Sequence, residues 1–110
     1  FLIIGDLNSY VFEDPIMAFK DAGYEDLIAA YVGPEAYTLS FEDQWGYVDH
    51  ALANNNMAEQ VSGTTIWHIN ADEMKAFSYK GRWYSPDKYR CSDHDPVIIG
   101  LNLSSGIKPT

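Results

Sequence analysis

Apolar residues fall into short runs separated by polar turns, and the runs at the two ends of the chain are the clearest. Phe1-Leu2-Ile3-Ile4 and Val97-Ile98-Ile99-Gly100-Leu101 are continuous, as expected of strands covered on both faces. Between them, the segment from Trp45 to Ala53 reads as one strand, and Thr64-Thr65-Ile66-Trp67-His68-Ile69 as another with His68 inside it. Tyr37-Thr38-Leu39-Ser40-Phe41 alternates enough for an edge strand. Asp14 followed by Pro15 predicts a helix start, with Asp14 as N-cap, a buried stripe of Ile16, Met17, Phe19 and Ala22, and Gly23 as the stop. A short helical turn from Asp26 to Tyr31 ends before Gly33-Pro34. Asn54-Asn55-Asn56 turns into another short helix through Met57, Ala58 and Gln60. The final strand covers about residues 96–103, and residues 104–110 read as a tail or linker. Mixed strands and helices place the chain in the α/β class.

The polar turns carry the chemistry. Gly5-Asp6-Leu7-Asn8 closes the first strand and Ser92-Asp93-His94-Asp95-Pro96 opens the last, so two strand mouths bear acids, one beside an imidazole. Catalytic groups tend to sit in loops held at such strand ends, although an Asp-His dipeptide is equally at home in a solvated turn. Alternation within residues 45–53 sends Asp49 and His50 to opposite faces, so at most one of them faces a shared site. His68 reads as a structural or surface imidazole in preference to a ligand, Asn70 and Asp72 as a polar turn in preference to a metal or substrate contact, and Asp95 as a cap for the loop entering the last strand. Cys91, the single cysteine, forms no intrachain disulfide and reads as a small, partly buried loop residue.

Composition and charge change this picture further. A length of 110 residues with 46% hydrophobic content bounds the chain to one folded domain. No apolar run approaches the ~18 residues of a membrane span, so no membrane partner is expected. The start at Phe1, already inside an apolar run, is expected of a fragment or a processed chain. The formal charge of −9 weighs against a polyanionic ligand, because nucleic-acid affinity rests on Lys and Arg neutralising phosphates. Yet Lys75, Lys80, Arg82, Lys88 and Arg90 face a single acid, Asp87, giving residues 75–90 about +4 and the remainder about −13. Phe77, Tyr79, Trp83, Tyr84 and Tyr89 interleave with these cations as candidate stacking faces, which makes Arg82 and Arg90 candidate substrate-binding residues. The competing reading is a loop whose aromatics cover a sheet edge while its cations stay solvated. Aspartates and amides suit a hard divalent cation such as Mg²⁺, whereas three unpaired histidines and one cysteine do not make structural zinc.

Gly-Asp-Leu-Asn at 5–8, Tyr-Val-Asp-His at 47–50 and Ser-Asp-His-Asp-Pro-Val at 92–97 together resemble, in order and spacing, the endonuclease/exonuclease/phosphatase superfamily, which includes pancreatic deoxyribonuclease. Gly23-Tyr24, Asp26-Leu27-Ile28, the stretch 45–53 and Trp67-His68-Ile69-Asn70-Ala71-Asp72-Glu73 extend the likeness to the extracellular nucleases secreted by Gram-negative bacteria. The resemblance covers roughly residues 1–103. It implies the C-terminal half of a four-layer α/β/β/α sandwich, mostly one mixed β-sheet with flanking helices. It further implies a metal-dependent, extracellular phosphodiesterase, an endonuclease hydrolysing DNA, with RNA as an open alternative, and with little sequence specificity.

By that resemblance, His94 matches the imidazole that deprotonates the attacking water or contacts the phosphate, and Asp49 the carboxylate that orients it. Asp6 and Asn8 match the pair that positions the water and donates to the phosphoryl oxygen. Asp93 matches a metal-side carboxylate for Mg²⁺, with Mn²⁺ or Ca²⁺ as alternatives. The expected partners are a nucleic-acid substrate and the N-terminal half of the same domain, which in the family supplies a metal-binding Glu that has no counterpart here. Little activity is therefore expected of the isolated chain, and self-association is expected if a sheet face is left bare. The same scaffold serves sphingomyelinases and inositol-phosphate phosphatases, and fold does not fix substrate. An inert α/β piece or binding module is the reading from another class. A calcium-binding acidic domain explains the charge but lacks an EF-hand loop pattern.

Overall fold

The computed structural model describes residues 1–41, 44–73, 81–83 and 89–104. The first apolar run forms β1 (Leu2–Asp6), which pairs antiparallel with β5 (Asp49–Ala53) in the register Leu2↔Ala53 to Asp6↔Asp49. The two-residue β2 (Glu25–Asp26) lies on the other side of β5, giving the order β1-β5-β2. A hairpin of β3 (Leu39–Phe41) and β4 (Gln44–Gly46) makes a second sheet, and β6 (Val61–Ile66) with β7 (Val97–Leu101) a third. The chain is thus a small mixed α/β protein. Where one mixed sheet was expected, the described residues form three small sheets with antiparallel pairing throughout.

The single strand expected over residues 45–53 is broken at Tyr47-Val48, and the cause is a set of local bonds that replace the ladder. The buried Thr38 hydroxyl accepts from the backbone N–H of Val48 at 3.2 Å and of Asp49 at 3.4 Å. Tyr47 turns inward to donate its hydroxyl to Asp26 Oδ2 at 2.8 Å, and Val48 O accepts from Leu7 N. The strand expected through Ile69 likewise stops at Ile66. Trp67 N then turns to Pro96 O and Ile69 N closes back on Trp67 O, which leaves His68 in the turn beyond β6.

Helix α1 (Asp14–Asp21) is capped by Glu13 rather than Asp14, and the Glu13 side chain makes no cap bond. Asp14 instead occupies the first turn, where its charge favours the positive end of the helix dipole, with Pro15 beside it. Ile16 is fully buried, Met17 and Phe19 are half-buried, and Ala22 is exposed, a narrower stripe than expected because the short helix lies at the periphery. The stop is as the sequence predicts. Gly23, at φ +95°, donates to Lys20 O, and Tyr24 N reaches Phe19 O while the two rings meet edge-on at 5.9 Å. That is a Schellman close with its apolar contact, and φ > 0 explains the glycine.

Asp26 caps α2 (Leu27–Tyr31), its Oδ1 accepting from Ile28 N and Ala29 N. Asn54 caps α3 (Asn55–Ala58) through Met57 N. The apolar side of α2 supplies both halves of the core. Ile28 packs with Ala36, Tyr47 and Ile66, and Leu27 packs with Ala51 and Ala53. Val97 contacts both groups, so the first and third sheets are clamped across α2. Burying a side chain such as Ile28 contributes about 1.5–3 kcal/mol. Ser104, expected in a loose tail, is tied to Gln60 Oε1 through its backbone N–H at 2.8 Å. Among the described residues, no helix is long and apolar enough to cross a membrane.

Candidate functional site

Antiparallel pairing of β1 with β5 sets Asp6 directly across from Asp49, so two carboxylates share one sheet face at the ends of adjacent strands. The loop before β7 brings His94 onto them. His94 Nδ1 lies 2.7 Å from Asp49 Oδ2 and 4.0 Å from Asp6 Oδ2, and its Nε2 lies 3.9 Å from Asp93 Oδ1. An ionised carboxylate only accepts, so the proton between His94 and Asp49 is assigned to Nδ1, and the lone pair of the neutral ring falls on Nε2. Burial works against a charged His94, but the Asp49 hydrogen bond and the charges of Asp49, Asp93 and Asp6 outweigh it and raise the pKa above the ordinary histidine value.

Around this pair the backbone is held tightly. Asp6 Oδ1 accepts from Asn8 N at 2.7 Å, forming a turn in which Asn8 takes φ +49°, a left-handed conformation that asparagine tolerates. His50 is fully buried on the opposite face from Asp49, as alternation predicts, and donates from Nε2 to Ser9 O at 2.6 Å. It therefore anchors the 7–9 loop from below. Asp6 and Asn8 are exposed, Asp49 and His94 half-buried, so the cluster is anchored yet open to solvent.

Asp95 does not cap its own loop. It is fully buried, and its Oδ1 accepts from the backbone N–H of Asn70 at 2.9 Å and of Ala71 at 2.8 Å while Oδ2 takes His68 Nδ1 at 2.8 Å. Asn70 answers by donating Nδ2 to His94 O at 2.7 Å, so it is a buried hub within the expected polar turn. Asp95 N in turn donates to Thr38 O at 2.7 Å. Thr38 thus touches both Asp49 and the residue after His94.

Arg90, expected to reach a substrate phosphate from the surface, is buried at φ +55° and donates Nη1 to Asn70 O at 2.7 Å. The inward turn follows from the carbonyls of Ile69 and Asn70, which receive its backbone and guanidinium N–H groups. Arg82 is exposed. Cys91 is exposed rather than partly buried. The other basic and aromatic positions of the 75–90 segment, Lys75, Phe77, Tyr79, Lys80, Tyr84 and Lys88, lie outside the described residues.

Ligand atoms of Asp6, Asp49 and His94 come within 4.8 Å of one another, a spacing one cation can bridge. The Asp49–His94 hydrogen bond competes with that use, since a metal on Nδ1 displaces its proton. The freer donors are the exposed Asp6 and Asp93 carboxylates on the two sides of the ring. Among the described residues no Lys or Arg forms an ion pair with any of these acids, and His94 is the one cationic partner they have there. Hard carboxylate oxygens that leave room for several waters fit Mg²⁺.

Thr38 and the joint role of Asp95 and Asn70 were missed from sequence. Positions 93 and 95 are two apart, so strand alternation would send both acids the same way and gives no signal for the latter, and Thr38 carries none either. Comparison with known proteins gives no match to any family model, curated protein or solved structure.

Proposed function

We propose that the chain carries the Asp-His end of a metal-dependent phosphodiesterase of the endonuclease/exonuclease/phosphatase type, as its motifs imply. The observation that supports this most is the 2.7 Å Asp49–His94 pair flanked by Asp6 and Asp93, because it joins three motifs that are distant along the chain. In this reading the Nε2 lone pair of His94 takes a proton from the attacking water as its oxygen forms the new bond to phosphorus. The bond to the leaving oxygen breaks, and that oxygen is protonated from solvent. Asp49 holds the ring in the required tautomer and stabilises the imidazolium, help worth about 10²–10⁴ in rate. Asp6 and Asn8 border the position of the water and phosphoryl oxygens. Asp93 would be the metal-side carboxylate for Mg²⁺, as the resemblance implies, and the ion would supply charge stabilisation on those oxygens when bound.

Nucleic acid is the favoured substrate, with extracellular action and the four-layer sandwich belonging to the same proposal. Burial of Arg90 removes one of the two described cations expected at a phosphate, and because fold does not fix substrate, inositol phosphates and phospholipids are the second substrate reading. A metal-binding Glu from a preceding segment completes the centre. The half-exposed Ile4 on β1 and Ile98 on β7 favour the view that the isolated chain is an inert piece.

A plasmid-nicking assay in Mg²⁺ or Mn²⁺ tests the proposal, comparing this chain, a parent polypeptide that includes the preceding segment, and His94→Ala in each. The expected result is nicking by the parent, lost in His94→Ala, with little by this chain. A parent that does not nick, or that nicks equally without His94, overturns the reading.

A further inference from the structure

A second set of side chains, tied through Thr38 and Asp95 to the elements that carry the Asp49–His94 pair, is not used by the chemistry above. Trp45 on β4 is 55% exposed, and Tyr37 meets its indole edge-on at 4.7 Å. Tyr37 stacks in turn on His68, with ring centroids 4.1 Å apart and planes 17° from parallel. Each supporting ring is pinned. The Tyr37 hydroxyl donates to Asp72 Oδ1 at 2.6 Å, and His68 Nδ1 lies 2.8 Å from Asp95 Oδ2. The same elements hold the candidate active site. Thr38, next to Tyr37, accepts from Asp49 N, and Asp95, which holds His68, follows His94.

We infer that Trp45 is a stacking platform for an unpaired nucleobase of a single-stranded nucleic acid whose backbone lies at the Asp49–His94 site. This deepens the phosphodiesterase reading and rests on it for the identity of the ligand. An exposed indole normally loses rotamer freedom when it binds, but here Tyr37 already packs against it, so stacking costs less ordering. A flat apolar face fits any base. It does not fit the interior of a duplex, where base faces are already stacked. Base–aromatic stacking is sequence-tolerant, in keeping with a nuclease of little specificity, and it supplies affinity that does not depend on positive charge, which a chain of net charge −9 lacks.

The test is fluorescence anisotropy at low salt in Mg²⁺ with a labelled single strand of about 12 nucleotides, within the ~4–16 nucleotides that one small domain covers. A phosphorothioate backbone prevents turnover. Trp45→Ala is expected to weaken binding about tenfold, Trp45→Phe by less, and neither to change binding of a strand of equal length with sugar-phosphate units but no bases. Trp45→Phe also guards against a folding defect, since it keeps a ring against Tyr37. Equal binding by wild type and Trp45→Ala, no measurable wild-type binding, or equal loss on the base-free strand each overturns the inference. Trp45-dependent binding together with a parent polypeptide that never nicks DNA sinks the phosphodiesterase reading instead, and nicking without Trp45 dependence does the reverse.

Discussion

Asn70 and Asp95 clasp each other across the loops that flank the site: Asp95 Oδ1 accepts from Asn70 N at 2.9 Å, and Asn70 Nδ2 donates to the carbonyl of His94 at 2.7 Å. Because His94 is the residue before Asp95, the clasp fixes the backbone on which the imidazole stands. A buried carboxylate with three donors aimed at it is expensive to disturb. Asp95→Ala leaves the Asn70 and Ala71 N–H groups and His68 without their acceptor, and should cost about 3 kcal/mol in urea denaturation. Asp95→Asn, which turns an NH₂ toward at least one donor, should cost less but still more than about 1 kcal/mol. Stability unchanged in both would show that the clasp does not hold the loop.

The raised pKa of His94 gives a pH dependence of known sign. The folded state favours the imidazolium, so the pair's stabilisation is fully present below the unfolded value of about 6.5 and is lost as pH rises through the raised folded value. In metal-free protein, the stability difference between wild type and Asp49→Asn should therefore shrink as the pH is raised across that window. An NMR titration of the His94 ring should place its midpoint above 6.5 in wild type and lower in Asp49→Asn. Catalysis runs the other way, because the base is the neutral ring. In the parent polypeptide the rate should climb with pH along a limb set by His94, and Asp49→Asn should move that limb down in pH while lowering the plateau about 10²–10⁴-fold.

Thr38 offers a test of positioning without touching the reacting groups. Its hydroxyl serves the N–H groups of Val48 and Asp49, and valine replaces that oxygen with a methyl of similar size. Thr38→Val should cost about 1–3 kcal/mol for the donors left unpaired, and should bring the His94 midpoint back toward the ordinary value as Asp49 loosens. Thr38→Ser keeps the hydroxyl and should restore both. A His94 midpoint unmoved in Thr38→Val would show that Asp49 is held by its strand alone.

The convergence of Asp6, Asp49 and His94 was legible because each sits at a strand mouth, where the apolar pattern fixes which way the chain leaves the sheet. The opposed faces of Asp49 and His50 followed from the two-residue period of a strand. The Gly23 stop and the Asp26 turn were legible for the same local reason. What the pattern did not reveal is where side chains replace the backbone ladder. The break at Tyr47-Val48 depends on Thr38, ten residues upstream of Val48 and one of many hydroxyls in the chain. Residues 45–53 alone read as continuous strand. The inward course of Arg90 was hidden similarly, since composition counts a guanidinium as solvated unless carbonyls wait for it.

Arg82 and Arg90 separate those two views of a basic residue. Arg90 donates to Asn70 O from a buried position, and the Nε of the same guanidinium has no partner among the described residues. Its removal takes away packing, a charge-assisted bond and the fastening of the Asn70 hub, so Arg90→Ala should destabilise the fold by about 2 kcal/mol. Arg90→Lys should not rescue it, because one ammonium cannot reproduce the planar fork. Arg82 is exposed, so Arg82→Glu should leave denaturation midpoints nearly unchanged. If residues 75–90 meet a polyanion, Arg82→Glu should instead weaken single-strand binding and reduce its salt dependence. Equal stability of wild type and Arg90→Ala, with binding lost only in that variant, would return Arg90 to the ligand surface and contradict its buried placement.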